Sequence, residues 1–250
     1  MHGRRGQAHV GPHFLELLGT EQPLYAIQAR GLDGKSEPHS NIEAMAAEYV
    51  QAIRTVQPEG PYFLGGFCAG SYVTLEMIRL LLRQGEKYFP PLIIDPPRPD
   101  FRGGGDEVPE ELLLRQLERR VRSGEWKVDL QNTDAVGAAL KVARAFESAL
   151  QAYQPNIIPV TSLIIATRKR WGSEDKVRQV FGPRAQVFLV EGGHGDILSP
   201  DNQQFAVAVK QSIAHVAHKA AVYRARASAC GPGMRKGTNL LIGESGQELR

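Results

Sequence analysis

The chain has 250 residues, 42% of them apolar, and 30 Lys and Arg against 27 Asp and Glu give a net charge of +3. That size and apolar content suit one sizeable core, an α/β domain with an insertion, and the near-balanced charge leaves no electrostatic footprint for nucleic acid. No apolar run approaches the ~18 residues that span a bilayer, the first arginines have no apolar segment behind them as a signal peptide would, and two cysteines (Cys68 and Cys230) make no disulfide framework, which points to a reducing cytoplasm.

Residues 24–30 (LYAIQAR) are short and apolar and run into GLDG, the pattern of a strand entering a loop. Over 41–56, apolar residues at Ile42, Met45, Ala46, Tyr49, Val50 and Ile53 have helical spacing. Pro58 stops that helix, and Ser40 or Asn41 can cap its start. Residues 62–65 read as a strand, 72–82 as a largely apolar helix ended by Gly85, and 92–95 (LIID) as a buried strand stopped by Pro96 and Pro97. Alternation of this kind predicts a parallel sheet with crossover helices. Between 100 and 154 nothing is strand-like. Two helices are expected there, over 110–124 and 133–153, and an inserted helical block has the form of a lid over an active site. The sheet pattern resumes with a strand over 160–167, a short helix over Glu174–Phe181, a strand over 187–190 and a closing helix over 199–218. Residues 219–250 are basic and glycine-rich and read as a disordered tail behind a domain spanning 1–218.

The chemistry concentrates at three places. Gly66-Phe67-Cys68-Ala69-Gly70 lies between a predicted strand and a predicted helix, the context of a nucleophile elbow, in which a tight turn pushes one side chain out at the carboxyl edge of the sheet. The backbone N–H of Ala69, at the helix N-terminus, then points where an oxyanion would form. The alternative is a small buried cysteine between two glycines. A thiol needs a base, and His194 in GGHGDIL, just past the last strand, is the candidate. Asp95, at the end of LIID, is the favoured carboxylate to hold the histidine. Asp175 is its competitor, Asp196 is too near His194 in sequence, and Asp95 also reads as a turn residue before proline. Ser71 falls in the first helical turn and is a packing or capping residue. No metal-ligand cluster and no phosphate-binding glycine loop is evident in the sequence.

With these residues in place the chain resembles the thioesterase domains of nonribosomal peptide and polyketide synthases, in the α/β-hydrolase superfamily. The resemblance runs through QPLYAIQARGLDG, NIEAMAAEYVQAIRTVQPEGPYFLGGFCAGSYVTLEMIRLL, LIIDPPRP, ALQAYQPNIIPVTSLIIAT and VFLVEGGHGDILSPDN, in the family's order, over about residues 2–216. It implies an α/β-hydrolase fold, a mostly parallel sheet flanked by helices with a helical lid at about 100–154. It also implies Cys68 as nucleophile (the family usually has serine there), Asp95 as acid and His194 as base. The implied reaction transfers an acyl or peptidyl chain from the phosphopantetheine thioester of a carrier-protein partner to the nucleophile, then releases it by hydrolysis or cyclisation, with no cofactor or metal of the domain's own. The family carries a first strand before a loop that supplies a second oxyanion N–H. Here MHGRRGQ matches that loop and Arg4 takes the N–H position, so the expectation is a sheet without its first strand, with an exposed edge and a loosened loop. Two alternatives stay open: a different Cys-dependent esterase, or an N-terminally truncated, weakly active or inactive remnant acting as a binding module.

Overall fold

The computed structural model describes all residues except 4, 9, 21–22, 101–108, 123, 125, 127, 156–159 and 230–250; for 110 and 227–229 it describes the backbone alone. The helices are α1 (Pro12–Leu18), α2 (Ile42–Val56), α3 (Gly70–Arg83), α4 (Glu110–Arg122), α5 (Thr133–Ala152), α6 (Arg168–Trp171), α7 (Glu174–Phe181) and α8 (Gln203–Ala229). The strands are β1 (Gly65–Phe67), β2 (Leu92–Ile94), β3 (Leu163–Thr167) and β4 (Gln186–Val190). They form one parallel sheet whose spatial order is the chain order, registered through Gly65 beside Leu92, Leu92 beside Leu163 and Leu163 beside Gln186.

The period of two along each strand sorts the core into two layers. Ile93, Ile164 and Val187 point to one face, where α2, α3 and α7 bring Ile53, Met77, Ile78, Val177 and Phe181. Leu92, Ile94, Leu163, Ile165 and Val190 point to the other, where α8 brings Phe205, Val209 and Val216 and α1 adds Phe14. A sheet that advances in one direction through crossovers of one hand places its connecting helices on one face, which is why α3 and α7 share a layer and α8, after the last strand, closes the other.

Local chemistry accounts for the helices that the spacing predicts. Asn41 caps α2, its Oδ1 accepting from the Ala44 N–H at 2.7 Å, and the six apolar residues of the predicted stripe are the buried ones. Asn132 caps α5 in the same way, and α5 lays Val142, Phe146 and Ala149 onto the domain. Its far end is tied to α3 by the Tyr153 hydroxyl, which donates to Glu76 Oε2 at 3.2 Å. The charged α4 buries Leu113 and Leu117, the latter in a small cluster with Trp126 and Ala139. These two helices are the inserted block expected between β2 and β3.

Three expectations are corrected. Residues 24–30 join none of the four strands. A strand is defined by its ladder, and here the pairing stops at a single bridge at Ile27 and one backbone bond, Ala29 N–H donating to Gly6 O at 2.7 Å, while Leu24 and Ile27 line an apolar cavity of about 180 Å³ with Phe14, Phe67 and Ile213. On the outer edge of β1 the Gly65 carbonyl accepts from the Met1 ammonium at 2.9 Å. The closing helix does not stop at 218. It continues to Ala229 because Val216 and Ala220 remain buried against the sheet and Lys87 Nζ donates to the Tyr223 hydroxyl at 3.1 Å, so 219–229 are helix instead of tail. The rest of the expected tail, with Cys230, lies outside the described residues. The short helix α1, which the sequence reading missed, begins with Gly11-Pro12, a start signal that was available. Among the described residues no helix is long and apolar enough to cross a membrane.

Candidate functional site

The four strands point the same way, so their carboxyl ends share one edge, and the chain delivers a polar group from each. Cys68 follows β1, its N–H still donating to Ile94 O at 2.8 Å before the backbone turns into a left-handed conformation, φ 54°. Ser71 and Tyr72 N–H then donate to the Cys68 and Ala69 carbonyls and start α3. The turn is tight enough to require both flanking glycines. A Cβ on Gly66 would lie 2.5 Å from Thr74 Oγ1 and 2.6 Å from Gly70 O, and one on Gly70 would run into His2 O. Ser71 is buried and donates to Gly66 O at 3.2 Å, a structural bond inside the turn, as expected. Among the described residues nothing accepts from the Ala69 N–H at the helix start.

Asp95 follows β2 with φ 42°, a second non-glycine residue in the left-handed region. Its N–H donates to Ile165 O at 2.7 Å, which extends the ladder to β3 and fixes where the side chain goes. The side chain is fully buried. Oδ1 accepts from Thr167 N–H and Thr167 Oγ1, both at 2.9 Å, and Oδ2 pairs with His194 Nδ1 at 2.6 Å. Burial pushes the carboxyl up. The bonds from His194 and Thr167 and the Arg170 charge outweigh that and hold it below the usual carboxylate range.

His194 sits in the loop after β4, shaped by Gly193 N–H donating to Asp196 Oδ2 at 3.2 Å. Its ring stacks on Phe67 with centroids 4.9 Å apart and planes 7° from parallel, and the Cys68 side chain is among the groups that act on it. With Nδ1 given to Asp95, Nε2 is the nitrogen left for the sulfur. Burial pushes the imidazole down, but the Asp95 bond and the Cys68 side chain push it up further, to about 9. An aspartate, an imidazole and a thiol thus stand at one edge of the sheet, the residue types that can stabilise a thiolate beside an imidazolium.

Cys68, Ala69, Asp95 and His194 all stand at this edge, with Asp95 and His194 in direct contact. Asp175 does not: it is exposed at the start of α7, 3.7 Å from Arg178. Arg4, the expected second oxyanion donor, lies outside the described residues. Its loop is anchored where loosening was expected. His2 is buried, its Nε2 pairs with the Tyr49 hydroxyl at 2.7 Å and its Nδ1 with Gly3 O at 2.9 Å, and its ring meets Phe146 of α5 edge-on. Burial pushes His2 down to about 4, so it is neutral. Sequence reasoning missed Thr167, Arg170 and the stacking role of Phe67. An aromatic residue directly before an elbow nucleophile was a usable signal for Phe67; no local pattern marks the other two. Among the described residues no cluster of His, Cys, Asp and Glu is placed to hold a metal.

A model of the thioesterase domain family matches residues 6–213. The polyketide synthase PksR of Bacillus subtilis (strain 168) is 38% identical over 96 residues, 38% of this chain and 4% of that protein, so the chain spans a small part of the relative's length. Among solved structures, the RedJ thioesterase of the prodiginine pathway in Streptomyces coelicolor superposes with a TM-score of 0.59 at 18% identity, over 79% of this chain and 82% of its own. The NocB thioesterase domain in covalent complex with a fluorophosphonate nocardicin G analogue does so with a TM-score of 0.56 at 22% identity, over 75% and 81%. These likenesses establish a common α/β-hydrolase fold, and the match along 6–213 establishes more: the chain belongs to the thioesterase domain family.

Proposed function

We propose that this domain releases an acyl or peptidyl chain from the phosphopantetheine thioester of a carrier protein, with Cys68 as nucleophile, His194 as acid–base and Asp95 orienting the imidazole. The observation that carries the reading is the 2.6 Å pair of Asp95 Oδ2 with His194 Nδ1, set at the carboxyl edge of the sheet where Cys68 leaves β1 and acts on the same imidazole. The Cys68 thiolate attacks the thioester carbonyl, and the Ala69 N–H faces the oxyanion. The intermediate collapses with loss of the pantetheine thiolate, which takes the proton from His194. Neutral His194 then accepts a proton from water, or from a hydroxyl or amine of the chain itself, as that group attacks the Cys68 thioester. Cys68 leaves as thiolate and the product is an acid or a ring.

A cysteine here exchanges one thioester for another at little cost, so the acyl enzyme stays activated for ring closure or aminolysis. Acyl-pantetheine and carrier-bound thioesters, compared with the matching oxygen esters, test the substrate class: faster turnover of the oxygen esters would favour a different Cys-dependent esterase. Cys68→Ala is expected to abolish release. Cys68→Ser is expected to shift products toward hydrolysis, and an unchanged rate and product ratio would remove the role given to sulfur.

A further inference from the structure

Asp95 leaves β2 into Pro96 and Pro97. Proline has no N–H, so this segment has little to donate for its own anchoring. Instead each carbonyl accepts from a side chain of another element. Arg170 Nη1 donates to Asp95 O at 2.7 Å, Trp171 Nε1 to Pro96 O at 3.1 Å, and the Tyr72 hydroxyl to Pro97 O at 2.6 Å. The arginine has a second contact. The same Nη1 lies 3.3 Å from Asp95 Oδ2, the oxygen that holds His194 Nδ1 at 2.6 Å, and the Arg170 side chain is only 21% exposed.

The geometry points to Arg170 as a positioning residue for the proposed acid–base: anchored on the Asp95 carbonyl, its guanidinium shares Asp95 Oδ2 with His194 and weakens the carboxylate's hold on the imidazole proton. This rests on the reading of His194 given above. The groups facing the pair are few. Asp95 is met by Arg170 from α6, Thr167 from β3 and His194, while His194 is met by Asp95, by Cys68 from the elbow and by the Phe67 ring from β1. Asp95 and the Cys68 side chain both favour the imidazolium; the Arg170 charge opposes it. Guanidinium stays charged across the working pH range, so the opposition is constant. Its use is in the second half of proton transfer. A base that must also act as acid works best when it does not bind its proton too tightly, and Arg170 offsets a partner that would otherwise trap it.

The test is the His194 titration, followed by imidazole NMR in Arg170→Gln and Arg170→Lys. The glutamine variant removes the charge, and its His194 midpoint is expected to move to higher pH. Turnover of an acyl-pantetheine thioester at neutral pH is expected to fall about three- to tenfold in kcat with KM held, the change that up to one pH unit of tighter proton binding gives. The lysine variant keeps the charge and is expected to restore the midpoint. An anchor without an electrostatic role gives the opposite sign, because slackening Asp95 removes the bond that raises His194. An unchanged or lowered midpoint in Arg170→Gln therefore overturns the inference. Should the glutamine variant fail to fold, Arg170→Met, which keeps the apolar stem, supplies the same reading. Failure of the underlying function is read separately: iodoacetamide would then label Cys68 no faster in the unaltered protein than in His194→Ala.

Discussion

Because His194 is carried from its ordinary 6.5 to about 9, the folded protein keeps a proton over that interval which the unfolded chain has released. The gap is equivalent to about 3 kcal/mol at full strength. The ring is 33% exposed, and screening by water reduces this to about 1–2 kcal/mol. Since the folded pKa is the higher one, the contribution is complete below 6.5 and is lost as pH rises through 9. Asp95 works in the opposite sense, since its carboxyl is held below the ordinary range: its contribution is present above that range and disappears in acid. Asp95→Asn removes the bond that raises His194. Urea unfolding of the two proteins between about pH 6 and pH 10 is therefore expected to show the largest stability difference at the acid end, narrowing by about 1–2 kcal/mol toward the alkaline end. Cys68→Ala removes the other raising partner and flattens the slope in part. A stability difference between the unaltered protein and Asp95→Asn that stays constant across the interval would refute the coupling.

Gly66→Ala forces a methyl against Thr74 Oγ1 and Gly70 O and is expected to cost about 1–3 kcal/mol and to slow iodoacetamide labelling of Cys68, read by thermal melts and mass spectrometry. Gly137→Ala is its counterpart: in α5 a Cβ at that position meets nothing within 4 Å, and the helix is expected to gain about 0.5–1 kcal/mol. Asp175→Asn is expected to leave thioester turnover and the His194 titration unchanged, because the carboxylate is exposed on α7; a large loss would return it to candidacy as the acid. Asn41→Ala is expected to cost about 1 kcal/mol through the lost cap of α2, with the site intact.

Features set by near neighbours in sequence were legible. The stripe of α2, the cap at Asn41, the bounds of α7 and the two helices between β2 and β3 follow from period, capping and turn chemistry. The elbow at Cys68 was legible for the same reason, since strand, tight turn and helix occur within a few residues and the glycines are needed where they stand. What failed was non-local. An apolar run such as 24–30 carries no mark of whether a ladder awaits it, and the end of α8 depends on the apolar surface beneath Val216 and Ala220. The meeting of His194 with Asp95 rather than Asp175 follows from strand order: Asp95 emerges between the ends of β1 and β3 and is pinned there by Ile165 O, Thr167 and Arg170, while Asp175 is carried out onto α7. The sequence by itself determined which side chains are candidates for the chemistry, because residue type and local backbone decide that. Only the tertiary structure decided their protonation, because charge, burial and hydrogen bonds act through space, between residues as far apart in the chain as Cys68, Asp95, Arg170 and His194.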